Sequence, residues 1–296
     1  EGLDPYTVYI PENQIEDIKL ITTGQYGGIG ALIRQDGDYV MITDPYENSP
    51  AAKAGIIAGD KILEVDGHSM KGKPSDGVSE LLRGEPNTKV KLKLQRMFTD
   101  QPIEIQVTRE EIKLPSVPYY GIIDDGIGYI ALNSFTNTAA KEVQDALESM
   151  KKTNNSKSLV LDLRSNPGGL LIEAVKICNL FIDAGQEIVS TKGKVSEWDK
   201  SYKTTAKPVD KDIKIVVLVN EMSASASEIV SGSIQDLDRG VVVGHRTFGK
   251  GLVQTTRNLS YNGMLKVTTA KYYTPSGRCI QALDYSHRNE DGSVGH

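Results

Sequence analysis

An α/β protein with a mostly parallel core sheet and an inserted, β-rich second unit is the fold class this sequence predicts. Three observations predict it. Short apolar runs at Gly128–Leu132, Ser158–Arg164 and Lys214–Asn220 are each followed by a stretch with helical spacing. Strands that alternate with helices imply parallel pairing through crossovers. Residues 24–113 follow a different grammar, of glycine turns and short strands, which sets them apart from the segments 1–23 and 114–296. The segment 1–23 is expected to pack on the core.

In the second unit, Tyr26-Gly27-Gly28-Ile29-Gly30-Ala31-Leu32-Ile33 places a glycine-rich turn before a strand. Tyr39–Ile42 reads as a strand, Ser49–Ile56 as a short capped helix, and Gly59–Gly67 as turn, strand and turn. Val78–Arg83 reads as a helix, and Lys89–Leu94 alternates as a half-exposed strand. Leu114-Pro115-Ser116-Val117-Pro118 then reads as a hinge, since proline denies both helix and ladder.

The core segment opens with the strand at Gly128–Leu132 and an amphipathic helix from Thr138 to Lys151. The strand Ser158–Arg164 is broken by Ser165-Asn166-Pro167-Gly168-Gly169, and a helix runs on through Leu171, Ala174, Val175, Cys178 and Leu180-Phe181. Thr191 to Asp212 reads as a polar hairpin or as an excursion from the core over the site. After the strand Lys214–Asn220, a helix face is marked by Ala226, Ile229, Val230, Ile234 and Leu237. Val241–Gly244 is expected to be another buried strand. Tyr261-Asn262-Gly263 signals a hairpin joining Val253–Asn258 to Met264–Tyr273.

The turns after parallel strands lie along one edge of a sheet, where ligands bind. The Gly168-Gly169 turn, the Ser223-Ala224-Ser225-Ala226-Ser227-Glu228 turn and the Thr247-Phe248-Gly249-Lys250-Gly251 loop all follow strand ends, so they are expected to meet. Taken alone, Ser225 with Glu228 is a capping box, and Lys250 is a loop lysine. Together they suggest a serine nucleophile with a lysine base. A serine hydroxyl needs a base to take its proton, and burial lowers the proton affinity of a lysine. Glycines on both sides of Lys250 let backbone pack against it. The amide of Ala226, with one from Gly168 or Gly169, can serve a developing oxyanion. Gln254, on the strand after Lys250, can hold the ammonium end. His245 is the rival base.

These motifs resemble those of the carboxyl-terminal processing, or tail-specific, proteases. The resemblance rests on Leu161–Gly169, on the serine-rich turn and on Thr247–Gln254, with Tyr272–Arg278 and Leu3-Asp4-Pro5-Tyr6-Thr7 in support. It covers nearly the whole chain and implies a crotonase-like protease core. It maps a Ser-Lys dyad onto Ser225 and Lys250, the supporting glutamine onto Gln254, and oxyanion donors onto Ala226 and the Gly168-Gly169 pair. Asp236 matches an acidic position linked to activity in some members; its bland reading is a solvated carboxylate near a helix end. The 24–113 unit resembles a PDZ domain, with Gly28, Ile29 and Gly30 forming a backbone nest for a peptide's terminal carboxylate. The expected partners are protein or peptide substrates with free C-termini, with room for an adaptor protein and for a homo-oligomer. An extracytoplasmic location, in periplasm or cell envelope, is implied by resemblance.

Bulk properties add little. A chain of 296 residues with 39% hydrophobic content can bury two cores. A net charge of −5 with no basic run argues against nucleic acid. No apolar run reaches membrane-spanning length and no signal peptide is visible. The chain opens inside a motif at Glu1-Gly2-Leu3, so a leader or anchor is expected upstream. No cofactor is expected, and the four histidines form no metal-ligand spacing. Cys178 and Cys279 read as two free buried thiols. Two other function classes fit parts of the pattern: a crotonase-type acyl-transfer enzyme, and a non-catalytic PDZ scaffold.

Overall fold

The structure is a computed structural model describing residues 4–124, 126–154, 156–260, 262–288 and 294–295. Glu1, Gly2, Leu3 and Tyr261, which belong to the opening motif and the hairpin signal, lie outside the described residues. The chain divides into two units, Glu1–Gly24 with Pro115–His296, and Gln25–Leu114.

The amino-terminal segment holds β1 (Val8–Ile10) and α1 (Ile15–Thr23). Helix α1 stops at Gly24, whose φ of 70° lets its N–H return to Leu20 O.

The Gln25–Leu114 unit contains β2 (Gln25–Gly28), β3 (Ala31–Asp36), β4 (Tyr39–Pro45), α2 (Pro50–Lys53), β5 (Lys61–Val65) and β6 (His68–Ser69). It continues through α3 (Ser75–Leu82), β7 (Lys89–Gln95), β8 (Ile103–Thr108) and β9 (Glu110–Lys113). The main sheet runs β3-β4-β5-β7-β8, with β6 on β5, and β2 pairs with β9. Alternation places Val90, Leu92 and Leu94 of β7 inward, where they join Val40, Ile42, Ile62 and Val78 in one apolar core. Strand β3 is at the sheet edge, paired among the described residues only with β4, and α3 packs beside it.

The other unit continues with β10 (Tyr119–Asp124), β11 (Ile127–Ala131), α4 (Ala139–Asn154), β12 (Ser158–Asp162) and α5 (Leu171–Asn179). Next come β13 (Glu187–Gly193), β14 (Lys200–Lys203), β15 (Lys214–Val219), α6 (Ala226–Asp236) and β16 (Val241–Gly244). The last strands are β17 (Leu252–Asn258), β18 (Met264–Tyr273), β19 (Asp284–Arg288) and β20 (Val294–Gly295). One sheet has the order β10-β11-β12-β15-β16; its β11–β12, β12–β15 and β15–β16 pairings are parallel, each bridged by a helix-containing crossover. A second sheet, β1-β18-β13-β14 with β17 on β18, is antiparallel throughout.

The expectation of a mostly parallel sheet is therefore corrected. Parallel neighbours need crossovers of a dozen or more residues. The chain supplies these only between β11 and β16, and then turns back on itself as the β17–β18 hairpin. The 191–212 excursion is likewise part of the antiparallel sheet, since β13 pairs with both β14 and β18. Strand β16 is not buried as expected. It is an edge strand, with Val241 60% exposed and Val243 48% exposed.

Helices α5 and α6 pack on each other, and α6 touches β16 of one sheet and β13 of the other. The Ser233 hydroxyl donates to Ile188 O of β13 at 2.7 Å. Ala226, Ile229, Val230 and Ile234 are buried on α6, as the helical spacing requires. This layer fixes where α6 begins, and so where Ser225 stands.

Candidate active site

The carboxyl ends of β11, β12 and β15 are level, with Ala131 opposite Asp162 and Asp162 opposite Leu218. The turns leaving them emerge along one edge and are bonded to each other. Fully buried Asn166 ties them together. Its Nδ2 donates to Leu132 O after β11, its Oδ1 accepts Gly168 N–H, and its backbone carbonyl accepts Ala224 N–H and the Ser227 hydroxyl.

The serine-rich turn sorts its three hydroxyls by geometry. Ser223 and Ser227 are fully buried and committed, donating to Leu163 O at 2.7 Å and Asn166 O at 2.9 Å. Ser225 is the half-buried one, and it has φ 56° and ψ −112°. A non-glycine residue at positive φ is uncommon and costs free energy. Here it sits at a sharp strand-to-helix turn, the device that lifts a nucleophile out of a sheet. Glu228 closes the capping box, its Oε2 accepting Ser225 N–H at 2.8 Å.

Position 168 must be glycine because the backbone of the serine turn lies against it. A Cβ built on Gly168 would stand 2.8 Å from Ala224 O and 2.9 Å from Ala226 N, at a backbone φ of 102°. The Gly168 N–H is taken by Asn166, so this amide is not a free oxyanion donor. The amides of Ala226 and Gly169 meet no acceptor among the described residues. Ala226 is also the first residue of α6, where the helix dipole favours negative charge.

The lysine loop joins this turn through one carboxylate. Glu228 is only 5% exposed. Its Oε2 accepts Lys250 N–H at 2.9 Å as well as Ser225 N–H, and its Oε1 accepts Gly249 N–H at 2.6 Å and the Thr247 hydroxyl at 2.8 Å. Phe248 N–H adds a bond to Ser223 O at 3.0 Å. The glycines beside Lys250 admit the segment 280–282; a Cβ on Gly251 would stand 2.1 Å from Gln281 N. Burial pushes the Lys250 amine below the usual lysine range, nearby Lys266 adds to this, and Glu228 opposes it. Its Nζ lies 5.0 Å from the centroid of the Tyr6 ring.

Gln254 is not bonded to Lys250 among the described residues. Its Nε2 donates to Leu252 O at 3.0 Å and to Thr268 Oγ1 at 3.3 Å, beside a register shift between Val253 and Gln254. Asp236 is not solvated. It accepts the N–H and hydroxyl of Ser276 and the Arg278 guanidinium, and so pins the 274–278 turn to the end of α6. Burial raises its pKa, but the bonds from Ser276, Thr274 and Arg278 outweigh that and hold the carboxyl below the usual range. A depressed folded pKa contributes stability above the unfolded value of ~3.9, lost as pH falls through the folded one. Asp236→Asn is therefore expected to lower stability by about 2 kcal/mol at pH 7, with the gap narrowing below about pH 4. Urea midpoints of both proteins at pH 7 and pH 3 check this.

His245 is exposed and lines a cavity of about 410 Å³ whose walls include Glu228 but not Ser225. Among the described residues no cluster of side chains could hold a metal ion. Cys178 is a free buried thiol, whose pKa burial raises to about 12. Cys279, expected to be buried, is free and exposed because it follows the surface turn 274–278, where it forms an isolated bridge with Tyr273.

In the other unit, Gly28, Ile29 and Gly30 lead into edge strand β3. The amides of Ile29 and Gly30 meet no acceptor among the described residues. Gly30 has φ 74°, and a Cβ there would stand 2.6 Å from Ser49 Cβ and 2.8 Å from Ile112 Cδ1. A bulky residue at Gly30 would thus disturb the unit itself, not only a bound peptide.

Sequence reasoning missed Asn166 as the tie between turns and Glu228 beyond its capping role. The signal for Asn166 was its place before Pro-Gly-Gly. Nothing local marked Glu228, since its other partners are 19 to 22 positions away.

A family model for Peptidase family S41 matches residues 126–285, and one for a PDZ domain matches residues 41–96. A carboxy-terminal-processing protease of Bartonella bacilliformis is 37% identical over 285 residues, covering 95% of this chain and 65% of that protein. A probable CtpA-like serine protease of Staphylococcus aureus is 42% identical over 278 residues, covering 94% of this chain and 55% of that protein. This chain thus spans 55% to 65% of the length of these two relatives. Among solved structures, a photosystem II D1 C-terminal processing protease aligns with TM-score 0.56 and 32% identity, over 94% of this chain and 75% of that one.

Proposed function

Because the chain belongs to peptidase family S41, we propose that it is a serine endopeptidase cutting protein substrates at or near their C-terminal tails, with Ser225 as nucleophile and Lys250 as base. The observation that carries this reading is the single carboxylate oxygen of Glu228 accepting the N–H groups of both residues. Turn and loop are thereby held together, although 25 positions separate their functional residues in the chain.

In the proposed reaction, Ser225 Oγ attacks the scissile carbonyl as its proton passes to neutral Lys250 Nζ. The amides of Ala226 and Gly169 stabilise the developing oxyanion. The C–N bond then breaks and the ammonium returns its proton to the leaving amine. Water opens the acyl-enzyme, giving one proton to Nζ, which passes it back to Ser225 Oγ. Gln254 is the proposed support for the lysine, and Asp236 acts at a distance by holding the 274–278 turn. The crotonase-like part of the core is read as the sheet β10-β11-β12-β15-β16 with α4, α5 and α6; its three parallel pairings support this.

Activity is expected to rise with pH, because only the neutral amine accepts a proton. Burial lowers the Lys250 pKa, so the ascending limb should lie below the ~10.4 of a free lysine. The kcat/KM profile on an unstructured protein, for wild type, Lys250→Ala and His245→Ala, tests this. An active Lys250→Ala enzyme with the same limb, beside an inactive His245→Ala enzyme, would overturn the lysine base.

We propose further that substrate tails add as a strand to the free edge of β3, with their carboxylate on the Ile29 and Gly30 amides. Amidating a substrate peptide's terminus should then weaken binding and slow cleavage. Equal binding and equal rates for amidated and free-acid peptides would remove the carboxylate nest. An extracytoplasmic location is proposed on family grounds, and cell fractionation with an antibody tests it.

A further inference from the structure

The lysine amine is not bonded to Ser225 among the described residues; it stands over an aromatic face. Nζ is 5.0 Å from the centroid of the Tyr6 ring. Tyr6 is itself held in place. Its N–H donates to Asp4 Oδ1 at 3.0 Å, and Thr7 Oγ1 donates to Asp4 Oδ2 at 2.8 Å. Both residues are fastened to β18: Thr268 Oγ1 donates to Asp4 Oδ1 at 2.8 Å, and Thr268 N–H donates to Thr7 Oγ1 at 3.1 Å. Tyr285 meets the Tyr6 ring edge-on, with centroids 6.0 Å apart and planes at 86°.

The charged and titratable groups that act on the amine are few. Glu228 faces it from α6, Lys266 from β18 and Tyr6 from the turn before β1. Tyr285 and Asp4 act on Tyr6 in turn. Burial first, then Tyr285, Asp4 and Glu228, push the Tyr6 hydroxyl up to about 12, so the ring is a neutral phenol at ordinary assay pH. A neutral ring offers its negative face to a cation and gives little to an amine.

We propose that Tyr6 is a positioning residue for the lysine, its ring face being the perch on which Lys250 rests while it carries a proton. The perch opposes the burial that favours the neutral amine, so it sets when Lys250 can leave for Ser225 as a base. Losing its proton removes the reason to stay on the ring. The amino-terminal segment thereby takes part in proton transfer without touching the substrate. This inference rests on the reading of Lys250 as the base.

The test titrates the lysine directly. Protein carrying lysine labelled with 13C at Cε is followed by NMR against pH, and the Lys250 signal is assigned by its loss in Lys250→Arg. Tyr6→Phe keeps the ring face and should leave the midpoint as in wild type. Tyr6→pentafluorophenylalanine keeps the shape but reverses the ring's charge distribution. It should move the midpoint down by roughly 0.5–1 unit, and the acid limb of kcat/KM should move with it. Tyr6→Leu should shift the midpoint in the same direction. An unchanged or raised midpoint in the pentafluoro variant, relative to Tyr6→Phe, overturns the perch. The two readings fail separately. An active Lys250→Ala enzyme removes the base assignment whatever the titration gives. An unmoved titration beside an inactive Lys250→Ala enzyme removes only the perch.

Discussion

Ser225→Ala is expected to lower kcat/KM on an unstructured protein by roughly 10⁶-fold, with Lys250→Ala of similar severity and the double variant no worse. In the proposed dyad, nucleophile and base act as a unit, so the loss of either forfeits most of what both supply. The structure separates this serine from its neighbours. Ser223 and Ser227 are buried donors to Leu163 O and Asn166 O, so their alanine variants should cost ~1–3 kcal/mol of stability and leave much of the chemistry to the folded fraction. Gel-based cleavage of a denatured substrate, with urea midpoints for every variant, reads both effects. A Ser225→Ala enzyme retaining a tenth of wild-type activity, beside an inactive but folded Ser223→Ala or Ser227→Ala, would move the nucleophile to another serine.

Glu228→Gln is the second large effect, and it should strike stability and rate together. The wild-type carboxylate accepts from Ser225, Lys250, Gly249 and Thr247. An amide keeps one accepting oxygen and turns an NH₂ toward donors it cannot satisfy. Each buried donor left without an acceptor costs ~1–3 kcal/mol, so a loss of several kcal/mol is expected from a change of one atom. Activity of the folded protein should fall by about 10² or more, since misplacing reacting groups by an ångström has that effect. Urea denaturation and kcat on folded protein measure the two parts. If Glu228→Gln matches wild type in both, the serine turn and the lysine loop are held together by something other than this carboxylate.

Most of what points to this site is local in the sequence. Apolar runs followed by helical spacing marked β12, β15 and α6. Glycines marked the Gly168-Gly169 turn and the lysine loop, because close backbone contacts there leave no room for a Cβ. What escaped was non-local. The second sheet is made from strands far apart in the chain, such as β1 with β18 and β13 with β18, and no periodicity announces such partners. Val241–Val243 is as apolar as a buried strand, so its place at a sheet edge could not be read from composition. The sequence leaves Asp236 open between an activity-linked acid and a solvated helix-end carboxylate, because its partners in the 274–278 turn are 40 or more positions away. Glu228 carried a sufficient local explanation as a cap, which hid the longer-range one.

The pairing of β1 with β18 has a consequence for the newly made chain. Asp4 and Thr268 bond to each other although 264 positions separate them. At ~5–20 residues per second of synthesis, the first strand must wait tens of seconds on the ribosome for its partner. Ser225 and its turn emerge well before that strand does. Until β18 arrives, Leu252–Asn258 has no strand to pair with and Gly251 O has no Tyr272 N–H to accept, so the loop of the proposed lysine base is not held in place and a half-made chain should not cut its neighbours. A chain ending at Asn258, which keeps Ser225 and Lys250 but lacks β18, and the chain through residue 296, offered the same unfolded substrate, should differ accordingly: cleavage belongs only to the second.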